Sequence, residues 1–152
     1  VRWHGPTVSL RRGLDRLPSQ SGESFERNIG WSVPSAQANV LGEGSHPQVE
    51  PLVDGSSISS VNWSEVARVC VTRGQRASAL RTLLEDAGCE IVAFTSADAE
   101  VAAALWPETH RAGLSLADRS CLALARRLRA TAVTADRAWR QLDVGVDVVC
   151  IR

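Results

Sequence analysis

Glu65, Asp118 and Asp136 are the residues of this chain whose type and placement suggest chemistry. Glu65 stands in the first turn of an expected helix, Asp118 in the first turn of another, and Asp136 directly after a β-prone run. A carboxylate in a helix's first turn satisfies orphan amides and complements the dipole, which accounts for any one of the three taken alone. Three carboxylates converging on one sheet edge would repel each other unless a hard cation lay between them. Mg²⁺ or Mn²⁺, which prefers oxygen ligands and retains waters, suits such a site. All 17 basic residues are arginine. The absence of lysine excludes a Schiff base, a phosphate-loop lysine and a lysine general base. His4 and His46 lie in irregular sequence and His110 follows a helix end, so none is placed as a catalytic base. Cys70, Cys89, Cys121 and Cys150 form no Cys-x-x-Cys pair and read as scattered buried thiols.

The elements that must position these acids begin near residue 49. Ser56–Val61 is a short β-prone run, and Asn62 is placed to cap a helix carrying Trp63, Val66, Ala67, Val69 and Cys70 on its apolar side. Gly74 ends it. A second helix over Gln75–Ala87 carries Leu80, Leu83 and Leu84 on one face, and Glu90–Phe94 reads as a buried strand. Thr95 and Asp98 have capping-box spacing and open a helix that Pro107 disrupts. Ser115 and Asp118 repeat the signal before Leu122, Ala125 and Leu128 at helical spacing. Thr131–Thr134 reads as a strand, Asp136–Leu142 as a short helix and Val146–Ile151 as a closing strand. Strands alternating with helices predict an α/β fold with a parallel sheet. Its chemistry belongs at the carboxyl ends of the strands.

The front of the chain differs. Five of the six prolines and seven of the eleven glycines precede residue 57, and Trp3 and Trp31 sit among polar residues with no period. Residues 1–41 are expected to be irregular or disordered, with one weak element near Val33–Leu41, and residues 42–152 to form the folded domain.

Three blocks carry a resemblance to a known family. Ile58-Ser-Ser-Val-Asn-Trp-Ser-Glu65-Val-Ala, Leu114-Ser-Leu-Ala-Asp118-Arg-Ser-Cys-Leu-Ala-Leu-Ala and Val133-Thr134-Ala-Asp136-Arg-Ala-Trp closely resemble the PIN domain of VapC-type toxins, in the family's order and spacing. The resemblance implies a PIN-like α/β/α sandwich with a central, mostly parallel sheet. It implies a Mg²⁺- or Mn²⁺-dependent endoribonuclease cutting RNA phosphodiester bonds, usually a homodimer, restrained by a VapB-like antitoxin. Carried over by position, Glu65, Asp118 and Asp136 are the expected metal and catalytic carboxylates, and Thr134 the hydroxyl residue supporting them. The cation would polarise the scissile phosphate and activate a water for in-line attack.

One part of the pattern is missing. The family's first strand ends in an aspartate that ligates the metal, whereas Trp31–Glu43 offers Ser32 or Val33 in that place. The first strand is therefore expected to be degraded or missing and the activity impaired, whether the front of the chain is misread or the toxin has decayed. The alternative is a catalytically inactive PIN remnant that only binds a VapB-like antitoxin, with Trp63, Val66, Val69 and Leu80 lining its groove.

Charge and composition bound the remaining possibilities. The formal net charge is zero over 152 residues. Nucleic-acid contacts would fall to Arg68, Arg73, Arg76 and Arg81 on the first two helices and Arg119, Arg126, Arg127 and Arg129 on the later one. Residues 49–152 hold 12 arginines against 13 acids, so this face also reads as a balanced, solvated surface. A phosphoacceptor domain ordinarily uses a lysine at a strand end, and a helix-turn-helix binder fits poorly with strands between the helices. No apolar stretch approaches the roughly 20 residues of a membrane span. Nothing suggests export, and a cytoplasmic location is the expectation.

Overall fold

The computed structural model describes residues 7–9, 30–32 and 53–150. Its elements are β1 (Thr7–Ser9), β2 (Gly30–Ser32), β3 (Ser57–Ser59), α1 (Ser60–Thr72), α2 (Ala77–Asp86), β4 (Glu90–Val92), α3 (Ser96–Ala104), α4 (Trp106–Thr109), α5 (Leu116–Leu128), β5 (Ala132–Thr134) and β6 (Val148–Cys150). Single 3₁₀ turns cover His110–Ala112 and Arg137–Gln141. From β3 onward the order alternates strand and helix as the sequence patterning predicts.

The sheet runs β4-β3-β1-β5-β6, with β2 paired to β1. β3 and β4 are parallel, with Ile58 opposite Ile91, and β5 and β6 are parallel, with Val133 opposite Val149. Between these pairs lies β1, antiparallel to both: Ser9 pairs with Ser57 and Val8 with Val133. The sheet centre, expected to be degraded or missing, is thus closed by three residues from the front of the chain. Two facing strand edges with unpaired amides and carbonyls require some strand between them, whatever its direction. The stretch Val33–Leu41 lies outside the described residues.

Two apolar clusters hold the helices. Ile58, Val66, Cys70, Leu80, Leu84 and Cys89 pack between β3, α1 and α2. Leu105, Leu122, Ala125, Ala132, Trp139 and Val144 pack around α5 and β5. Cys70, Cys89 and Cys121 are buried and Cys150 is half-buried, all four as free thiols. The α1 positions Val66 and Leu80 of α2, considered as a groove, are core residues, with Trp63 packed against them.

Four local expectations are corrected. The helix after β3 starts at Ser60 with Ser59 as its cap, so Asn62 lies inside α1, where it is fully buried. Glu65 consequently stands in the second turn of α1. β4 is an edge strand with Glu90 exposed and Ile91 and Val92 half-buried, because β3 covers only one of its sides. The Asp136 segment tightens into a 3₁₀ turn. Both capping boxes form as read, at Thr95–Asp98 and at Ser115–Asp118. Pro107 stands in the first turn of α4, just past the end of α3.

A buried ion pair ties α3 to α5. Asp98 is 2% exposed, and its Oδ2 accepts from the amide and hydroxyl of Thr95, each at 2.8 Å. Its Oδ1 accepts from Arg127 Nε at 2.9 Å, and Arg127 also donates to the Ala93 carbonyl at 3.0 Å. Removing the cation leaves a buried carboxylate without its counter-charge. Arg127→Ala is therefore expected to cost about 2–3 kcal/mol, less than for a fully buried pair because the guanidinium is partly solvated. Urea denaturation of the variant checks this, and a loss below about 0.5 kcal/mol would mark the pair as a surface-like one.

Candidate active site

The first turn of α5 is held by a closed set of local hydrogen bonds. Asp118 Oδ2 accepts from the Ser115 amide and from Ser115 Oγ, each at 2.7 Å, and Ser115 Oγ accepts from the Asp118 amide at 3.1 Å. Asp118 is 5% exposed. These bonds hold the carboxylate in one orientation at the amino end of α5.

α1 brings a second acid toward it. Ser60 Oγ accepts from the Phe94 amide at 3.0 Å, fixing the start of α1 against the end of β4. Further along, Asn62 Nδ2 donates to the Ala117 carbonyl at 3.0 Å, joining α1 to the residue before Asp118. Glu65, half-buried, feels the consequence. Burial raises its pKa above the ordinary glutamate value, the Asp118 charge raises it further, and Arg68 acts in the opposite direction. The structure thus brings Glu65 and Asp118 into one electrostatic neighbourhood.

Asp136 and Thr134 are placed together at the carboxyl end of β5. Thr134 is fully buried, and its Oγ1 accepts from the Asp136 amide at 3.0 Å. The Asp136 carboxylate accepts from the Ala138 amide at 2.9 Å and caps the following 3₁₀ turn. Among the described residues, no group of three or more His, Cys, Asp or Glu is gathered closely enough to hold one ion. The Asp118 charge acts on Glu65, and Asp136 is not drawn into a triad with them. The oxygen donors of two carboxylates are of the kind a hard divalent cation takes while keeping most of its waters. They do not by themselves complete a protein-built cage.

Asn62 is the residue that sequence reasoning misassigned. Its spacing three residues before Glu65 was the available signal, since positions three apart share a helix face. The arginines are only partly at the disposal of a ligand. Arg127 is committed to Asp98, and Arg119 donates to the Leu114 carbonyl at 3.0 Å while its guanidinium lies 4.9 Å from the ring centre of Trp106. Trp106 in turn stacks on His110. Arg68, Arg73, Arg76 and Arg81 are exposed along α1, α2 and the turn between them. A cavity of about 610 Å³ lies elsewhere, lined by Arg126, Arg129, Thr131, Val144 and Asp147. Those residues stand at the amino ends of β5 and β6, so this hollow is at the opposite end of the sheet from Asp136.

Comparison with known proteins gives a consistent fold. The PIN domain family matches residues 41–145. A toxin-antitoxin complex from Klebsiella pneumoniae contains a similar chain, with 22% identity and a TM-score of 0.57 over 76% of this chain and 92% of that one. VapBC2 from Rickettsia felis, bound to a DNA fragment from their promoter, is similar with 16% identity and a TM-score of 0.57 over 80% and 96%. At these identities the likeness is one of fold. No curated protein matches the chain.

The raised pKa of Glu65 has a definite sign in stability. An acid whose folded pKa exceeds its unfolded one favours folding when protonated, and that contribution is lost as pH rises through the folded value. Glu65→Gln is therefore expected to stabilise the chelator-treated protein near pH 7 and to be neutral near pH 4. At a half-exposed site solvent screening limits the gain to about 0.5 kcal/mol, or roughly 2 °C in Tm. Thermal melts of both proteins across pH 4–8 check this; a difference that does not grow with pH would contradict the raised pKa of Glu65.

Proposed function

This chain belongs to the PIN-domain family, and on that premise we propose that it is a VapC-like toxin retaining a weakened, metal-dependent endoribonuclease site. The observation that carries the reading is the joining of the Glu65 helix to the residue before Asp118 by the Asn62–Ala117 hydrogen bond, with the Asp118 charge acting on the half-buried Glu65. Two acids interacting in this way, one of them 5% exposed, raise the free energy of the apo protein. A fold serving stability alone gains nothing from the arrangement.

A divalent cation, Mg²⁺ or Mn²⁺, would supply charge neutralisation and Lewis-acid polarisation of a phosphate ester. Glu65 and Asp118 are the residues that would hold it, with Asp136 as a third anionic group at the end of β5. The protein's own contributions are positional. The Ser115 bonds deny Asp118 rotameric freedom, and Thr134 fixes the backbone from which Asp136 projects. Exposed arginines, Arg68 and Arg76 among them, offer bidentate donors to an RNA backbone. The family's first aspartate has no counterpart among the acids gathered here, and this departure is the ground for expecting weakened activity. Misplacing a reacting group by about 1 Å is enough to cost roughly 100-fold.

A VapB-like antitoxin as partner belongs to the same proposal, since similar chains occur in toxin-antitoxin complexes, and so does assembly as a homodimer. A second reading keeps only the partner: a non-catalytic remnant that binds an antitoxin. It is favoured by the absence of a three-acid group among the described residues and by the outward apolar side chains of Val71 and Leu83.

Cleavage of a mixed RNA substrate by the purified chain tests the choice. The expected result is slow cutting with Mn²⁺ or Mg²⁺, none with chelator, and a fall of at least about 100-fold in Asp118→Asn. Folded protein that leaves RNA intact with either cation, while co-purifying with a co-expressed VapB-like protein, would replace the nuclease by the remnant.

A further inference from the structure

The hydrogen bond that joins the two acid-bearing helices is made by neither acid. Asn62 is 0% exposed, and its Nδ2 reaches the Ala117 carbonyl across 55 residues of sequence. Each end of this bond adjoins one of the carboxylates. Ala117 immediately precedes Asp118, and Glu65 follows Asn62 by three positions, so the two lie on neighbouring parts of the α1 surface. A side-chain amide bonded to a helix's first-turn carbonyl fixes that turn both along and across its neighbour. An apolar contact would leave it free to slide.

Asparagine is a costly choice for this place. Its Oδ1 is enclosed and meets no donor among the described residues, so the acceptor has lost its water without gaining a partner, which is destabilising. Turning the amide over would set Oδ1 against the Ala117 carbonyl, so the observed orientation is the one the site imposes. Leucine has the same branched outline and number of side-chain heavy atoms, is bulkier, and carries no polar atom to satisfy. Stability alone therefore favours leucine here, and the retained asparagine needs a reason in geometry.

We propose that Asn62 is a positioning residue of the candidate site, its Nδ2 bond to the Ala117 carbonyl setting where Asp118 stands relative to Glu65. The unpaired Oδ1 is the thermodynamic cost of that bond. Asn62 touches no substrate in this scheme and acts through the two acids. The inference rests on reading Glu65 and Asp118 as ligands of a divalent cation.

Mn²⁺ titration followed by electron paramagnetic resonance tests it, on wild-type protein, Asp118→Asn and Asn62→Leu, with a thermal melt of each sample. The expected result is that Asn62→Leu melts at or above the wild-type temperature yet binds Mn²⁺ about 10–100-fold more weakly, the usual loss when a group orienting a ligand is removed. A merely structural asparagine would move the melt and leave Mn²⁺ affinity alone. Folded Asn62→Leu with affinity within twofold of wild type overturns the inference. If leucine prevents folding, Asn62→Ser, too short to reach Ala117, is read by the same criterion at lower temperature. Wild-type protein that binds no Mn²⁺ removes the cation reading itself and the inference with it. Wild-type binding that Asp118→Asn abolishes and Asn62→Leu leaves intact removes the inference alone.

Discussion

The first turn of α5 carries the main electrostatic constraint in this protein. Ser115 encloses the Asp118 carboxylate from its own helix, and Asn62 holds the preceding carbonyl from α1. Between them they fix an almost fully buried negative charge beside a second acid on α1. Repulsion between Glu65 and Asp118 works against this packing. It is overcome because α1 and α5 are each anchored by large apolar contacts, Val66 and Cys70 on one and Cys121, Leu122 and Ala125 on the other. Close packing transmits such a constraint, since neither helix can shift without opening a void.

The two capping boxes show how the same local chemistry serves two ends. Asp98 and Asp118 each accept an amide and a hydroxyl from the residue three positions earlier. Asp98 then meets the Arg127 guanidinium, which compensates its burial and welds α3 to α5. Asp118 meets Glu65 instead. Sequence spacing made both boxes legible and gave no means of telling them apart, because the deciding neighbour comes from a distant segment in each case. The electrostatic surroundings, rather than the motif, separate the structural acid from the candidate functional one.

Much of the domain beyond residue 53 was legible in the sequence for related reasons. Glycines and capping residues mark helix ends by local physics, and the apolar period of α5 is strong enough to survive any context. The errors fall where local signals compete. Ser59, Ser60 and Asn62 are all good caps, and only burial decided among them: Asn62 is enclosed and bonded to another helix, which left Ser59 at the end. The edge position of β4 and the tightening of the Asp136 segment likewise depend on neighbours that the sequence does not announce. The arginine face was read as one patch, but Arg127 and Arg119 were already committed to the fold.

The sheet centre bears on how far the site can be complete. In a parallel α/β sheet, the strand between β3 and β5 would deliver its carboxyl end to the same edge as theirs, beside Glu65 and Asp136. β1 runs the other way. An antiparallel strand satisfies the backbone edges of β3 and β5 equally well, so the sheet closes. It presents its amino end, not its carboxyl end, at the edge where the acids stand. Closing the sheet and supplying a third ligand are separate requirements, and reversal of the central strand meets only the first. Among the described residues no group of three acids is gathered at that edge. This places the burden of cation binding on the one juxtaposition that α1 and α5 enforce.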